Sequence, residues 1–396
     1  SMVHDPEAPS LWFLGTDVGL YVSFNEGKNW QHWTNNFPRV QVSDMKIQRE
    51  ENDLVVATFG RAIWILDNLE PLRELAKSTF STTDSLHLFG CPPVYDWFYR
   101  SYDGVRFFAQ GDFSGTNETK NQAVLHVWTP PQSKTNKEGD EKKEKSKEKD
   151  VKMSVRWINE KGDTIRKNSV MPAGGLQKLY WGLNEDGVRG PSRREQQKDD
   201  DAPGGPSVLP GKYKCIVTYK NHKDSTWVEV NPDPRIPYHQ INAEAKYKLE
   251  KNFQNLVKKA SLSFDWLKDC KKHLKSLETI KGFQTDSVKK EIEKWHKSIT
   301  GKIDTLEALY MLPENTKGIA YDDEKVSSKI QAAQAYINTS DGEAAGNIDL
   351  AFKEATISIE SAEKAIQGFQ KETWHPYQSM LKSLTLNLFP ETMKKE

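Results

Sequence analysis

Near Gln240 the hydrophobic residues of this chain change period, and that change requires two kinds of structure in one polypeptide. Upstream, apolar residues alternate over short runs: Met153, Val155 and Trp157; Leu179, Trp181 and Leu183; Tyr213, Cys215, Val217 and Tyr219. A period of two puts alternate side chains on one face, so each run predicts a half-buried β-strand, and several such strands predict a sandwich. Downstream, Leu249, Phe253, Leu256 and Ala260 step by four and three, as do Val288, Ile292, Trp295 and Ile299. Ile348, Phe352, Ala355, Ile359, Ala362, Ile366 and Phe369 carry a narrow stripe through three heptads, the pattern of a helix buried along one seam. Breaks near Gly282, Pro313 to Gly318 and Ser340 to Gly342 divide this part into antiparallel hairpins packed as a bundle. Pro376 lacks a backbone N–H and predicts a kink at His375-Pro376.

From Leu11 to about Leu75 the runs LWFLGTDVG, LYVSFNEGKNW, VQVSDMKIQ, DLVVATFG and RAIWILD read as strands, interrupted at Asn52-Asp53, Gly60 and Pro71. Within them lies SFNEGKNW, Ser23 to Trp30. Asn25 suits a turn closed by backbone N–H groups, and Gly27 supplies a positive φ. Ser23 adds a hydroxyl, and Trp30 an apolar anchor between sheets. Each of these roles is structural. The spacing resembles the Asp-box, S-x-D-x-G-x-x-W, of sialidase-like and sortilin-like propellers, with Asn25 at the Asp position. GTDVGLYVSFNEGKNW followed by NDLVVATFGRAIWILDNLEPLREL is similar to the final blades of large bacterial Asp-box (BNR-repeat) propeller proteins, often labelled glycosyl hydrolases. Phe59 stands where that family usually has His in T-H-G-R. AGGLQKLYWGL, PGKYKCIVTY and VEVNPDPRI resemble the immunoglobulin-like module that follows the propeller, and the helical region has the family's placement.

The resemblance implies about one and a half blades, which cannot close a ring, because radial repeats need neighbours to cover their faces. It therefore implies the C-terminal part of a longer, exported protein whose remaining blades are its first partners. The start Ser1-Met2, with no charged and apolar leader, reads as processed, truncated or engineered.

A length of 396 residues predicts two to four domains. Lys plus Arg equals Asp plus Glu at 56 each, so no global field recruits nucleic acid or an anionic membrane. No run approaches the roughly 20 apolar residues of a membrane span. Lys137 to Asp150 holds six basic and six acidic residues and nothing apolar, and Arg189 to Gly211 mixes charge with Pro and Gly. Both read as solvated, mobile loops in the sandwich. Cys91, Cys215 and Cys270 lie far apart with no C-x-x-C, so no disulfide is expected, and Cys215 reads as a small buried residue. The nine histidines show no zinc-ligand spacing, and no G-x-S-x-G elbow occurs, so neither metal nor cofactor is expected.

Glycoside hydrolysis needs two carboxyl groups at a set separation, and Asp17, Asp44, Asp53 and Asp67 supply no assignable pair. Asp53 and Asp67 read as turn or cap residues, and Asp17 as a turn residue with a ligand role as the alternative. Arg61 is the best single functional candidate, able to grip a carboxylate or sugar hydroxyl, against an inter-blade salt bridge. Trp12, Trp30, Trp33 and Trp64 offer stacking faces but read first as blade cores. Pro234 to Pro237, PRIP, matches part of a sialidase signature in the wrong segment and reads as an extended linker. Gly205 to Tyr213 has the wrong glycine spacing for a phosphate loop. His273 and His296 read as surface or boundary residues of helices, and the heptad stripe as core, or as a partner-binding face if one helix is displaced.

The expected architecture is multidomain β plus α: partial propeller blades at 1–75, a connector at 76–120, an immunoglobulin-like sandwich at 121–234 with charged loops 133–150 and 189–211, and an antiparallel helical bundle at 235–396. The expected function is a non-catalytic scaffold or protein- or glycan-binding module located outside the cytoplasm. Ser23, Asn25, Gly27 and Trp30 hold the structural turn, and Asp17, Arg61 and Trp64 are the candidate ligand residues. The alternatives are part of a sialidase-like or xyloglucanase-like glycoside hydrolase, with its carboxylates mostly in other blades, and a sortilin-like peptide receptor.

Overall fold

Strands β1 (Met2–His4), β2 (Trp12–Thr16), β3 (Gly19–Ser23) and β4 (Gln31–Trp33) form one antiparallel sheet in that order. They belong to a computed structural model that describes residues 1–97, 122–131, 151–197, 200–314, 316–318, 320–339 and 346–386. The loop 133–150, all of the connector from Phe98 onward and the break at Ser340 to Gly342 lie outside the described residues. The chain divides into two compact units: Ser1–Glu185 with Val208–Tyr238, and Asp186–Ser207 with His239–Glu396.

In the first unit, β5 (Val42–Gln48), β6 (Asp53–Thr58) and β7 (Ile63–Leu66) form a second antiparallel sheet, with β7 at its edge. Alternation sends Phe13, Leu20 and Val22 from one sheet and Val42, Met45, Leu54 and Val56 from the other into a common core. Gly15 sits where β2 meets β5, and a Cβ there would collide with the Val42 side chain. Helix α1 (Glu70–Ala76) closes this core with Leu69 and Leu72, its Pro71 placed in the first turn where no helical N–H is lost.

The stretch read as a connector also contributes strands. β8 (His87–Leu88) pairs with β10 (Ala123–Thr129), and β9 (Val94–Asp96) joins a five-stranded sheet. That sheet also holds β11 (Met153–Ile158) and β12 (Thr164–Val170). Strand β13 (Gly175–Trp181) is the far edge of the β13-β10-β8 sheet, and β14 (Asn184–Asp186) and β15 (Gly204–Ser207) are short. With β16 (Gly211–Tyr219) and β17 (His222–Pro232) the five-stranded order is β12-β11-β16-β17-β9, antiparallel except for β17 against β9. Met153, Val155, Trp157, Cys215 and Val217 are all buried here, and Trp157 stacks on Trp181 at 4.2 Å. Such a ring pair adds about 1 kcal/mol to the area it buries. Pro234 and Arg235 form a turn, not the extended linker expected, because the Asp233 carboxylate accepts the Arg235 N–H at 2.9 Å and also grips its guanidinium.

The second unit is built on α2 (Gln240–Lys281), α3 (Asp286–Tyr310), α4 (Val326–Thr339) and α5 (Gly346–Phe369). Their stripes, Phe253 to Leu277 on α2 and Ile348 to Phe369 on α5 among them, make one core. At Pro376 the helix widens. A π turn, Gln370–Trp374, joins α5 to α6 (His375–Ser383), and the His375 N–H bonds five residues back to the Gln370 carbonyl. Proline supplies no N–H and crowds the carbonyl four residues before it, so a wider turn relieves both problems.

Two expectations fail in this unit. His296 is buried, not at the surface, because Glu278 lies 2.8 Å from Nδ1 and the Tyr377 hydroxyl 2.9 Å from Nε2, which satisfies both ring nitrogens. The described part of 189–211 is a fastened strap. Val188 N–H donates to Gln254 at 2.6 Å, Arg189 to Asp265 at 2.6 Å, Arg193 to the Leu312 carbonyl at 2.7 Å, and the Lys268 ammonium to the carbonyls of Ser192 and Arg194. Arg189 and Arg193 meet fixed partners while Arg194 and Glu195 stay exposed, a division that composition does not reveal.

Asp5 and Arg73 form a fully buried ion pair at 3.0 Å in the first unit. Asp5→Ala takes from the guanidinium its fully buried partner, leaving the more exposed Glu7 at 3.1 Å, and is expected to destabilise the chain by about 3 kcal/mol, read as a lower urea midpoint. Lys272→Ala, at the solvent-exposed pair with Glu195, should leave that midpoint unchanged.

Candidate functional site

The turn Ser23 to Trp30 follows β3 and is closed by its own side chains. Ser23 Oγ donates to Asn25 Oδ1 at 3.0 Å and accepts the Gly27 N–H at 2.9 Å, while Asn25 Oδ1 accepts the Asn29 N–H at 2.9 Å. Glu26 and Gly27 both have positive φ, and the Trp30 ring lies against Gly27, leaving little room for a Cβ. The Ser23 hydroxyl, the Asn25 carbonyl oxygen and Gly27 are thus committed to closing the turn, while Glu26 and Lys28 are exposed on it.

Asp17 lies exposed in the turn between β2 and β3, and Arg61 exposed in the turn between β6 and β7. Among the described residues neither side chain has a hydrogen bond or ion pair, and they are not joined to each other. Trp64 is half-buried, edge-on to Phe37, with its indole N–H donating to the Arg61 carbonyl at 3.0 Å. Around Arg61 the surface is apolar: Phe59, Ile63 and Ile65 are 74%, 67% and 57% exposed. Ile63 and Ile65 alternate with the inward Trp64 and Leu66, so they form one outward face of an edge strand. The candidate site is therefore this face with Arg61 at its end. Asp53 has another use: its carboxylate accepts the Asn68 N–H at 3.0 Å, and burial raises its pKa against that bond.

Sequence reasoning missed a polar cluster in the same unit. His87 Nε2 lies 2.6 Å from Glu74, and Nδ1 lies 3.5 Å from Asp224. Glu74 also accepts the Gly90 N–H and Asp224 the Leu88 N–H, and the imidazole stacks on Phe80. Nε2 is hydrogen-bonded to Glu74 while Nδ1 only approaches Asp224, and the group ties α1, β8 and the start of β17 together. The three residues are 13 and 137 positions apart, counted from His87 to Glu74 and Asp224, and no local pattern announces them. Among the described residues no group of three or more His, Cys, Asp or Glu side chains is arranged to hold a metal ion. No described helix is long and apolar enough to cross a membrane.

Compared with protein-family models and with curated proteins, the chain matches none.

All three cysteines are free. Burial pushes the Cys91 and Cys270 thiols up to about 12 and the Cys215 thiol higher. Because the thiolate is the reacting form, all three should resist iodoacetamide at pH 8 in the native chain and react completely in guanidinium, as counted by mass spectrometry.

Proposed function

We propose that the chain is a non-catalytic scaffold or binding portion of a larger Asp-box propeller protein of the sortilin-like, glycosyl-hydrolase-like type. In this reading β1 to β7 are partial blades, β8 to β17 an immunoglobulin-like sandwich, and the helices a bundle that supports them, all working outside the cytoplasm. The observation that carries it is the outward face of β7. Natural edge strands carry charge, proline or a bulge that discourages pairing, and Ile63-Trp64-Ile65-Leu66 carries none of these. A bare apolar edge suits a strand whose neighbour lies in another part of the assembly, as the next blade of a propeller does. The commitment of the Ser23 to Trp30 turn to its own backbone supports the non-catalytic half of the reading.

The variant Phe59→Ser, Ile63→Thr, Ile65→Thr should lower concentration-dependent association in sedimentation velocity while leaving the urea midpoint within error. A screen of chromogenic glycosides should show no turnover by the chain. Turnover abolished by Asp17→Asn would overturn the non-catalytic reading in favour of a glycosidase.

A further inference from the structure

Between α2 and the π turn with α6, the second unit keeps an open groove of about 360 Å³. That is the low end of the range for small-molecule sites, enough for on the order of ten non-hydrogen atoms. Trp266, Cys270, Trp374 and Leu381 supply an apolar floor. The two indoles meet edge to face with centroids 5.8 Å apart, and His273 lies edge-on to Trp374 at 5.7 Å. Trp374 is the last residue of the π turn, so the widened helix sets its ring at the groove, and π turns recur at functional sites.

The polar groups around this floor include donors without partners. Neither the Trp266 nor the Trp374 indole N–H has a hydrogen-bond partner among the described residues, although Trp374 is only 8% exposed, and neither is sealed from solvent. Gln378 and the Lys382 ammonium, both at the rim, are likewise without partners there. The one carboxylate, Asp269, already lies 3.5 Å from the Lys272 ammonium. Burial lowers the pKa of His273, which keeps its imidazole neutral at pH 7. Two indole N–H groups and the Lys382 ammonium are thus unpaired above an aromatic floor, beside Gln378 and His273, each of which offers both a donor and an acceptor. A complementary ligand brings a ring and acceptor oxygens bearing negative charge.

We propose that this groove binds a small aromatic carboxylate, its ring against Trp266 and Trp374 and its carboxylate toward Lys382 and an indole N–H. The proposal is independent of the propeller reading. 3-Phenylpropionate titrated into the full chain should shift the Trp266 and Trp374 indole N–H signals in ¹H–¹⁵N spectra, assigned through Trp266→Phe and Trp374→Phe. A ligand of this size should saturate with a dissociation constant on the order of 1 mM. Lys382→Glu should weaken binding roughly tenfold with an unchanged urea midpoint, and phenethylammonium should bind at least about tenfold more weakly than 3-phenylpropionate. Equal or tighter binding of phenethylammonium would overturn the proposal, as would the absence of a saturable shift at about 20 mM 3-phenylpropionate.

Discussion

A helix of 42 residues, about 63 Å long, cannot hold itself in water on helix propensity alone, and the second unit is organised around covering this one. On α2 the residues Phe253, Val257, Ala260, Phe264 and Leu267 form the stripe that the other helices bury. One position further along lie Gln254, Ser261, Asp265 and Lys268, about 100° round the axis. Three of these four hold the strap: Gln254, Asp265 and Lys268 bond to residues between Val188 and Arg194. Two neighbouring faces of one helix therefore take two kinds of cover, one by dispersion and area, the other by hydrogen bonds and an ion pair to the strap. The groove opens on another flank, where Trp266, Cys270 and His273 follow the same helical spacing and Trp374 of the π turn packs against Trp266 and His273.

The first unit solves a different problem. Its N-terminal loop and α1 are far apart in sequence, and a buried ion pair joins them where Ala8, Leu11, Leu69 and Leu72 share one core. Asp5 accepts the N–H groups of Glu7 and Ala8 at 2.8 Å while its other oxygen meets Arg73, and Arg73 extends to Asn52 at 2.7 Å. Removing both charges from water is costly, so this arrangement gains more in fixing one register of loop, turn and helix than in net stability. One guanidinium nitrogen, Arg73 Nη2, is buried without a partner, which is consistent with a clasp whose geometry is set by its surroundings.

What was legible in the sequence follows from range. Periodicity is a local property, so Met153 to Trp157, Tyr213 to Tyr219 and the stripe on α5 could be assigned to strands and a helix before any packing was known. Pro376 marked the place where the last helix is perturbed, although its outcome is a π turn and not only a bend. The closures were not legible. Asp5 meets Arg73 across 68 positions, and Arg193 meets Leu312 across 119. A charged segment looks the same on paper whether water or a helix satisfies it, which is why 189–211 read as solvated. His296 was misplaced for a related reason: its burial depends on Glu278 and Tyr377 arriving from two other helices. For the candidate site, Arg61 and Trp64 were visible as residues, but the exposure of Phe59, Ile63 and Ile65 beside them requires knowing that β7 is an edge.

The distribution of used and unused groups bears on function more directly than the fold does. In the first unit the ionisable side chains that come together, at Arg73 and at His87, are spent on one another and on backbone amides. Other groups are left over: Asp17 and Arg61 in exposed turns, apolar side chains on an edge strand, and indole N–H groups with a lysine above an aromatic floor. Surfaces of that composition gain free energy by being covered or filled, since apolar area leaves water and unpaired donors find acceptors.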